Sequence, residues 1–150
     1  MSTVTAEIDI AASIDDVWKT VMDPARLGDW VTIHKSLAAA SRPPLRKGAT
    51  MDQCLAVRGL TFRVHWNLVD VSEPNRAEWE GIGPAHSRAR TAYELTPGEN
   101  GSTHFHYTNE FHPPGGRLGN LAGRMIVGAT SEREAKKSLS QLKSLLEKKS

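Results

Sequence analysis

Cysteine is almost absent from this chain of 150 residues, which contains only Cys54. A single thiol excludes an internal disulfide and a metal cluster built on several thiolates. No nearby motif would activate the Cys54 thiol, so we interpret Cys54 as a small strand residue and not as a nucleophile.

Long apolar runs and blocks of one charge are also missing. The chain has no stretch of about 18 apolar residues, which argues against an integral membrane segment, and its first residues do not have the pattern of a signal peptide. The 19 basic and 17 acidic residues are spread along the chain, so no basic surface for nucleic acid is indicated. We therefore expect a cytoplasmic protein that binds no nucleic acid.

The usual motifs of phosphate, dinucleotide and acyl-serine chemistry are absent as well. His104, His106, Glu110 and His112 share one strand parity, which at first suggests metal ligands. At about 3.3 Å per residue, however, His106 and His112 lie roughly 20 Å apart, too far for one ion. We expect neither a metal nor a cofactor.

The first part of the chain has the pattern of a strand followed by two short helices. Apolar residues alternate with polar ones over residues 4–10, which predicts a strand with one buried face. Ser13 is a suitable N-cap for a first helix, and Pro24 suits the first position of a second helix that ends at Trp30.

The rest of the chain indicates an antiparallel sheet and a long helix. Between residues 33 and 111, Gly, Pro and Asn recur about every eight to twelve residues, which is typical of a meander. A helical stripe then predicts one helix of roughly 30 residues, whose apolar face must be buried against the sheet. The stripe consists of Leu121, Met125, Gly128, Glu132, Ala135, Leu139, Leu142 and Leu146.

These patterns predict an α+β fold for residues 1–150 as one domain. A curved antiparallel sheet of about seven strands is expected to wrap around the long C-terminal helix, with the two short helices after the first strand.

Three segments carry a family resemblance. The first is Ile8-Asp9-Ile10-Ala11-Ala12-Ser13-Ile14-Asp15-Asp16-Val17-Trp18, followed by Asp23-Pro24, Arg26-Leu27 and Trp30; the second is residues 101–111; the third is Leu139, Leu142-Lys143 and Leu146-Glu147. They resemble the opening strand and helix pair, the last strand and the end of the long helix in the START-like (SRPBCC) superfamily, which includes polyketide cyclases/dehydrases, pathogenesis-related allergens and lipid-transfer domains. The resemblance implies a helix-grip fold around a hydrophobic cavity. Members bind lipids, sterols, polyketides or plant hormones, and a minority catalyse aromatisation or cyclisation.

The candidate ligand-binding residues follow mainly from strand alternation. On each strand the more apolar parity should face inward, and the long helix adds residues of its stripe. Glycines and alanines in the first half of that helix leave little bulk there, so we expect a void beneath it, and the glycines could let this half bend or open as a gate. The candidates are Trp30, Met51, Gln53, Trp66, Trp79, Thr91, Tyr93, Tyr107, Asn109, Met125 and Glu132.

Five of the inward positions are polar: Gln53, Thr91, Tyr93, Asn109 and Glu132. An unpartnered buried polar group costs about 1 to 3 kcal/mol, so these residues bond each other or trapped water, or they orient a ligand. A carboxylate on the buried stripe should have a raised pKa, which makes Glu132 a candidate acid or base.

Two functions fit these predictions. The first is the binding or carriage of a small hydrophobic molecule, which would be lipid-like, aromatic or polyketide-like. The alternative is an enzyme of the polyketide cyclase/aromatase or dehydratase type, with Glu132 and Tyr93 as acid/base candidates. The sequence does not identify the ligand, the oligomeric state or whether a reaction is catalysed.

Overall fold

The computed structural model describes residues 2–57, 59–112 and 132–148. They form an antiparallel seven-stranded sheet in the order β1-β7-β6-β5-β4-β3-β2, together with three α-helices, which confirms the predicted α+β fold. The strands are β1 Ser2–Ile10, β2 His34–Ala40, β3 Thr50–Val57, β4 Leu60–Ser72, β5 Arg76–Ile82, β6 Arg88–Pro97 and β7 Thr103–His112; the helices are α1 Ile14–Val21, α2 Leu27–Trp30 and α3 Glu132–Glu147.

The first short helix begins at a polar side-chain cap, and the second follows a 3-10 turn. The Ser13 side chain accepts a hydrogen bond from the backbone N–H of Asp16 at 3.2 Å, as the N-cap prediction requires. Pro24 does not begin an α-helix directly, because Pro24–Arg26 form a 3-10 turn before α2 starts at Leu27. Trp30 at the end of α2 is fully buried, so the 3-10 turn and α2 together place an aromatic side chain in the core.

Burial on the sheet follows the predicted alternation. Met51, Leu68, Trp79, Leu95 and Phe105 all lie on the inward parity, and all are buried. The pairing from β3 to β7 is antiparallel and shifts register between Leu68 and Asp70, and on either side of that shift the inward residues form one face. That face forms the main wall of the core.

Helix α3 packs against β1 and α2. Leu139, Leu142 and Leu146 form its buried stripe and belong to the same core cluster as the sheet. The first half of the predicted helix, which includes Leu121, Met125 and Gly128, lies outside the described residues, and the void and gate expected there stay predictions.

The prediction that Glu132 is buried with a raised pKa is wrong. Its side chain is 65% exposed and pairs with Lys136 at 2.9 Å. The hydrogen bond from Lys136, aided by its charge, lowers the pKa of Glu132. The helical period predicts the direction of each side chain around the helix axis but not how far the core extends along it, and the Glu132 side chain lies in solvent.

The described helices are too short or too polar to span a lipid bilayer.

Candidate functional site

A cavity of about 100 Å³ lies between the inward face of the sheet, α2 and α3. Seven of the nine aromatic residues of the chain line it, which gives it mainly apolar walls. They are Trp30, Phe62, Trp66, Trp79, Tyr93, Tyr107 and Phe111.

Part of this wall is a connected aromatic cluster. The Tyr93 ring lies 6.1 Å from Trp30, 5.5 Å from Phe105 and 6.1 Å from Tyr107, measured between centroids. The Tyr93–Phe105 pair is edge-to-face, a favourable arrangement for aromatic rings. Because each ring fixes its neighbours, this side of the cavity is held in one shape.

Polar side chains on β6 and β7 bond one another. The Thr91 hydroxyl donates to Asn109 Oδ1 at 3.3 Å. Burial raises the pKa of Tyr107 to about 12, although hydrogen bonds with Thr91 and Asn109 oppose the shift. Burial also raises the pKa of Tyr93 well above its ordinary value. Both phenols are therefore neutral near pH 7 and can donate a proton to a hydrogen bond, but neither can act as a base.

A second polar chain crosses β4, β3 and β2. The Trp66 indole N–H donates to Gln53 Oε1 at 3.0 Å, and Gln53 Nε2 lies 2.9 Å from His34 Nδ1. Burial lowers the pKa of His34. Two strands thus fix both ends of the buried Gln53 amide.

A third polar cluster joins α3 to the segment after α2. The Thr32 backbone N–H donates to Ser138 Oγ at 3.1 Å, and the Thr32 hydroxyl donates to Glu134. Glu134, Ser138 and Thr32 all line the cavity. The carboxylate at the cavity is therefore Glu134, two residues beyond the predicted Glu132.

Two buried polar atoms of lining residues have no hydrogen-bond partner among the described residues. They are the indole nitrogen of Trp30 and the hydroxyl of Ser87. Ser87 closes a loop in which Ala85 and His86 have φ angles of 55° and 62°, a left-handed conformation that is strained in non-glycine residues.

Most of the sequence-predicted candidates come together at this cavity. Trp30, Met51, Gln53, Trp66, Trp79, Thr91, Tyr93, Tyr107 and Asn109 line it, whereas Met125 lies outside the described residues and Glu132 is exposed. Whether these residues bind a ligand remains a prediction.

The sequence analysis missed lining residues that belong to loops or to the helix. Thr32, Ser87, Glu134 and Ser138 are of this kind. Loops have no period that separates inner from outer positions, so Thr32 and Ser87 carry no pattern signal. Ser138 could have been found, because it lies three residues after Ala135 and four before Leu142, which places it beside the apolar stripe.

The histidines on β7 face away from the cavity. His104 Nδ1 lies 2.7 Å from Asp9 Oδ1, and His106 pairs with Glu7 at 3.7 Å. Within residues 2–57, 59–112 and 132–148, no three His, Cys, Asp or Glu side chains are grouped as a metal site would require.

Comparisons with known proteins agree with this architecture. A protein of Mycobacterium tuberculosis named "Toxin Rv0910" is 26% identical over 139 residues, covering 93% of this chain and 94% of that protein. The crystal structure of TTHA0849 from Thermus thermophilus has a TM-score of 0.73 at 17% identity and covers 99% of both chains. A conserved protein from Geobacillus kaustophilus has a TM-score of 0.71 at 18% identity, covering 98% of this chain and 96% of that one.

The structural likenesses at these identities concern the fold alone. The family described as "Polyketide cyclase / dehydrase and lipid transport" matches residues 1–147, nearly the whole length of the sequence. The chain therefore belongs to the polyketide cyclase/dehydrase and lipid transport family.

Proposed function

We propose that this protein binds or carries a small hydrophobic molecule in the cavity between the sheet and α3. The observation that carries the proposal is the concentration of seven of the nine aromatic side chains around one cavity. Small-molecule sites are typically apolar and aromatic, with a few placed polar groups.

The polar groups of the wall favour an uncharged ligand. Gln53, Thr91 and Asn109 are engaged with other side chains, and the phenols of Tyr93 and Tyr107 are neutral near pH 7. Of the charged residues in the described lining, Arg88 is exposed, and Glu134 is half-buried and accepts from Thr32, so neither is a buried counter-ion. A charged ligand group would therefore lose its hydration at a high cost. A neutral ring compound with one or two oxygen atoms satisfies the site better.

The cavity volume favours a compact ligand. About 100 Å³ is somewhat less than the roughly 150 Å³ of an engineered apolar cavity that holds benzene. A single ring or a short chain fits with small side-chain movements. A larger aromatic or lipid-like ligand requires the wall to open.

Native mass spectrometry with a panel of neutral aromatics and lipid-like chains tests this proposal. We expect one-to-one binding of ring compounds, accompanied by quenching of tryptophan fluorescence, because three of the four tryptophans line the cavity. A panel in which no compound binds at saturable stoichiometry would contradict the proposal.

The alternative, a cyclase/aromatase or dehydratase, has less support. The proposed acid/base pair is not assembled, because Tyr93 is inside the cavity and Glu132 is exposed and paired with Lys136. With a raised pKa, Tyr93 remains a proton donor only. We therefore do not assign a reaction to this site.

A further inference from the structure

We infer that His34 is a positioning residue that holds the Gln53 amide in one orientation at the cavity wall, and that protonation of His34 releases this orientation and weakens the binding of ligands with a carbonyl group. The effect on binding rests on the proposed function above. The orientation of Gln53 does not, and it can be tested without a ligand.

The first step is the orientation of the amide. An indole N–H can only donate a hydrogen bond, so the atom of Gln53 that lies 3.0 Å from Trp66 Nε1 must be the carbonyl oxygen. Gln53 and Trp66 are both buried, and they come from neighbouring strands in fixed register. Trp66 thereby determines which end of the Gln53 amide is nitrogen.

The second step is the tautomer of His34. The amide nitrogen of Gln53 can only donate, so His34 Nδ1, 2.9 Å away, must accept. His34 is then neutral and carries its proton on Nε2.

The third step is the effect of a second proton. A proton on Nδ1 would place two donors opposite each other, because the Gln53 amide already donates at this position. Rotating the amide by half a turn would relieve that contact, but it would then present the NH₂ group to the Trp66 indole N–H. Protonated His34 and both present hydrogen bonds are therefore incompatible.

Several charged groups lie on the elements around β2, and most of them pair with residues other than His34. On the 3-10 turn and α2, Arg26 and Asp29 pair with each other at 3.0 Å. On β3, Asp52 pairs with His65 at 2.5 Å. Lys35 follows His34 on β2 itself, and Glu134 on α3 accepts from Thr32. No hydrogen bond of the described residues joins a carboxylate to His34, which agrees with the lowered pKa of its imidazole.

The consequence concerns ligands that contact Gln53, which lines the cavity. With His34 neutral, the amide nitrogen has a second hydrogen, and its direction is fixed by the two existing bonds. A ligand carbonyl can accept this hydrogen without reorganising the wall. Once His34 is protonated, the amide loses its fixed direction and this contact weakens.

Nitrogen NMR of the ligand-free protein tests the positioning role. At neutral pH we expect His34 Nδ1 to give the signal of an unprotonated acceptor and Nε2 that of a protonated nitrogen. On acidification the Trp66 indole N–H, assigned with Trp66→Phe, should shift in step with His34. The same signal should stay constant in His34→Asn, which keeps an acceptor near the position of Nδ1 but does not titrate. The inference would be overturned by a proton on His34 Nδ1 at neutral pH, or by a Trp66 indole signal that does not change as His34 titrates.

A matched pair of small ring compounds tests the effect on binding. Acetophenone has a carbonyl group, and α-methylstyrene has nearly the same shape without the oxygen. Between about pH 8 and pH 5, we expect acetophenone affinity to fall about three- to tenfold and that of α-methylstyrene to stay constant. His34→Asn should abolish this difference, and His34→Leu should weaken acetophenone binding at both pH values.

The two possible failures are distinct. If neither compound binds at any pH, the proposed function is contradicted, while the NMR titration still decides the role of His34. If both bind and acetophenone shows no pH dependence in the wild type, or the same dependence in His34→Asn, the inference about His34 fails and the binding function stands.

Discussion

At the scale of single residues, the core contains polar side chains that are buried in pairs. Gln53 lies between the apolar residues Met51 and Leu55 on the inward side of β3 and is only 5% exposed. Its carbonyl oxygen accepts from Trp66, which is also buried. Burying such a pair costs little free energy of folding as long as both partners remain, because the large desolvation penalty applies to a buried polar group without a hydrogen-bond partner.

Removing one member of this pair should therefore destabilise the fold. We expect Trp66→Phe to lower the free energy of unfolding by about 1–3 kcal/mol, because Gln53 Oε1 loses its donor. Adding Gln53→Leu should recover part of that loss, since the unsatisfied amide is removed. Urea unfolding of the two single variants and the double variant measures the coupling, and strictly additive effects would contradict it.

The pKa of His34 predicts a pH dependence of stability. Burial lowers this pKa in the folded protein below the ordinary value of 6.5. As the pH falls below that value, the unfolded chain takes up the proton first, so acid favours unfolding. The contribution is fully present above pH 6.5 and is lost progressively as the pH falls towards the folded pKa.

His34→Asn should remove this part of the pH dependence. We expect the wild type to lose more unfolding free energy than the variant between about pH 7 and pH 5. Chemical denaturation of both proteins across this range measures the difference. Parallel curves would mean that His34 has the same pKa in the folded and unfolded chains.

Glu132 and Glu134 show that the helical period alone does not identify which carboxylate lines the cavity. The helical period placed Glu132 on the stripe, yet it is exposed, and Glu134 lines the cavity and accepts from Thr32. The period describes directions around a helix axis but not what lies opposite each direction. Thr32 is far away in sequence and has no pattern of its own, so its contact with the helix was not predictable.

At the scale of elements, the strands were predictable and the loops were not. Alternation placed Gln53, Trp66, Trp79 and Tyr93 on one face, and all four are buried and line the cavity. This works because a strand has two faces only, so one buried residue determines the others. The loop that ends at Ser87 carries no such constraint, and its left-handed residues are not glycines.

The last turn of α3 is attached to the beginning of the chain by polar contacts. Glu147 Oε2 accepts from the Ala11 backbone N–H at 2.9 Å and from Lys143 at 2.5 Å. Lys143 also donates to the Asp9 carbonyl at 2.8 Å. These contacts hold the helix end next to the end of β1, and the hydrogen bond from Ala11, with that from Lys143, lowers the pKa of Glu147.

Glu147→Gln should lower the thermal unfolding midpoint near pH 7 more than the control Glu132→Gln does. The control also removes a carboxylate with a lowered pKa, but one whose described partner is Lys136 on the same helix. Because the pKa of Glu147 is lowered on folding, its contribution is present above the ordinary value of 4.5 and is lost as the pH falls through the folded pKa. The difference between the two variants should therefore shrink in acid. Calorimetry at several pH values measures it, and equal midpoints near pH 7 would refute the role of this contact.

At the scale of the whole molecule, the fold combines a tightly packed region with an empty one. Leu142, Leu95 and Phe105 are completely buried, whereas most of the other aromatic side chains surround a space. The sequence predicted a void because small residues leave little bulk in the first half of the long helix, and the family resemblance implied a hydrophobic cavity. Its volume was not predictable, since that depends on how rings from distant strands pack together.

Two alanines on the inward face of the sheet lie one in each of these regions, so the same substitution can be compared at both. Ala89 lines the cavity, whereas Ala77 is completely buried in the packed core and is not part of the cavity lining. We expect Ala89→Leu to extend into the empty space, reduce ring-compound affinity at least tenfold and change the unfolding free energy by less than about 1 kcal/mol. Ala77→Leu should lower the free energy of unfolding by about 1–3 kcal/mol, because the neighbouring side chains of a filled core have to shift to admit the larger residue. Urea unfolding and binding measurements on both variants test the contrast. If Ala89→Leu is as destabilising as Ala77→Leu, the interior beside Ala89 is filled, and a ligand site at this position is excluded.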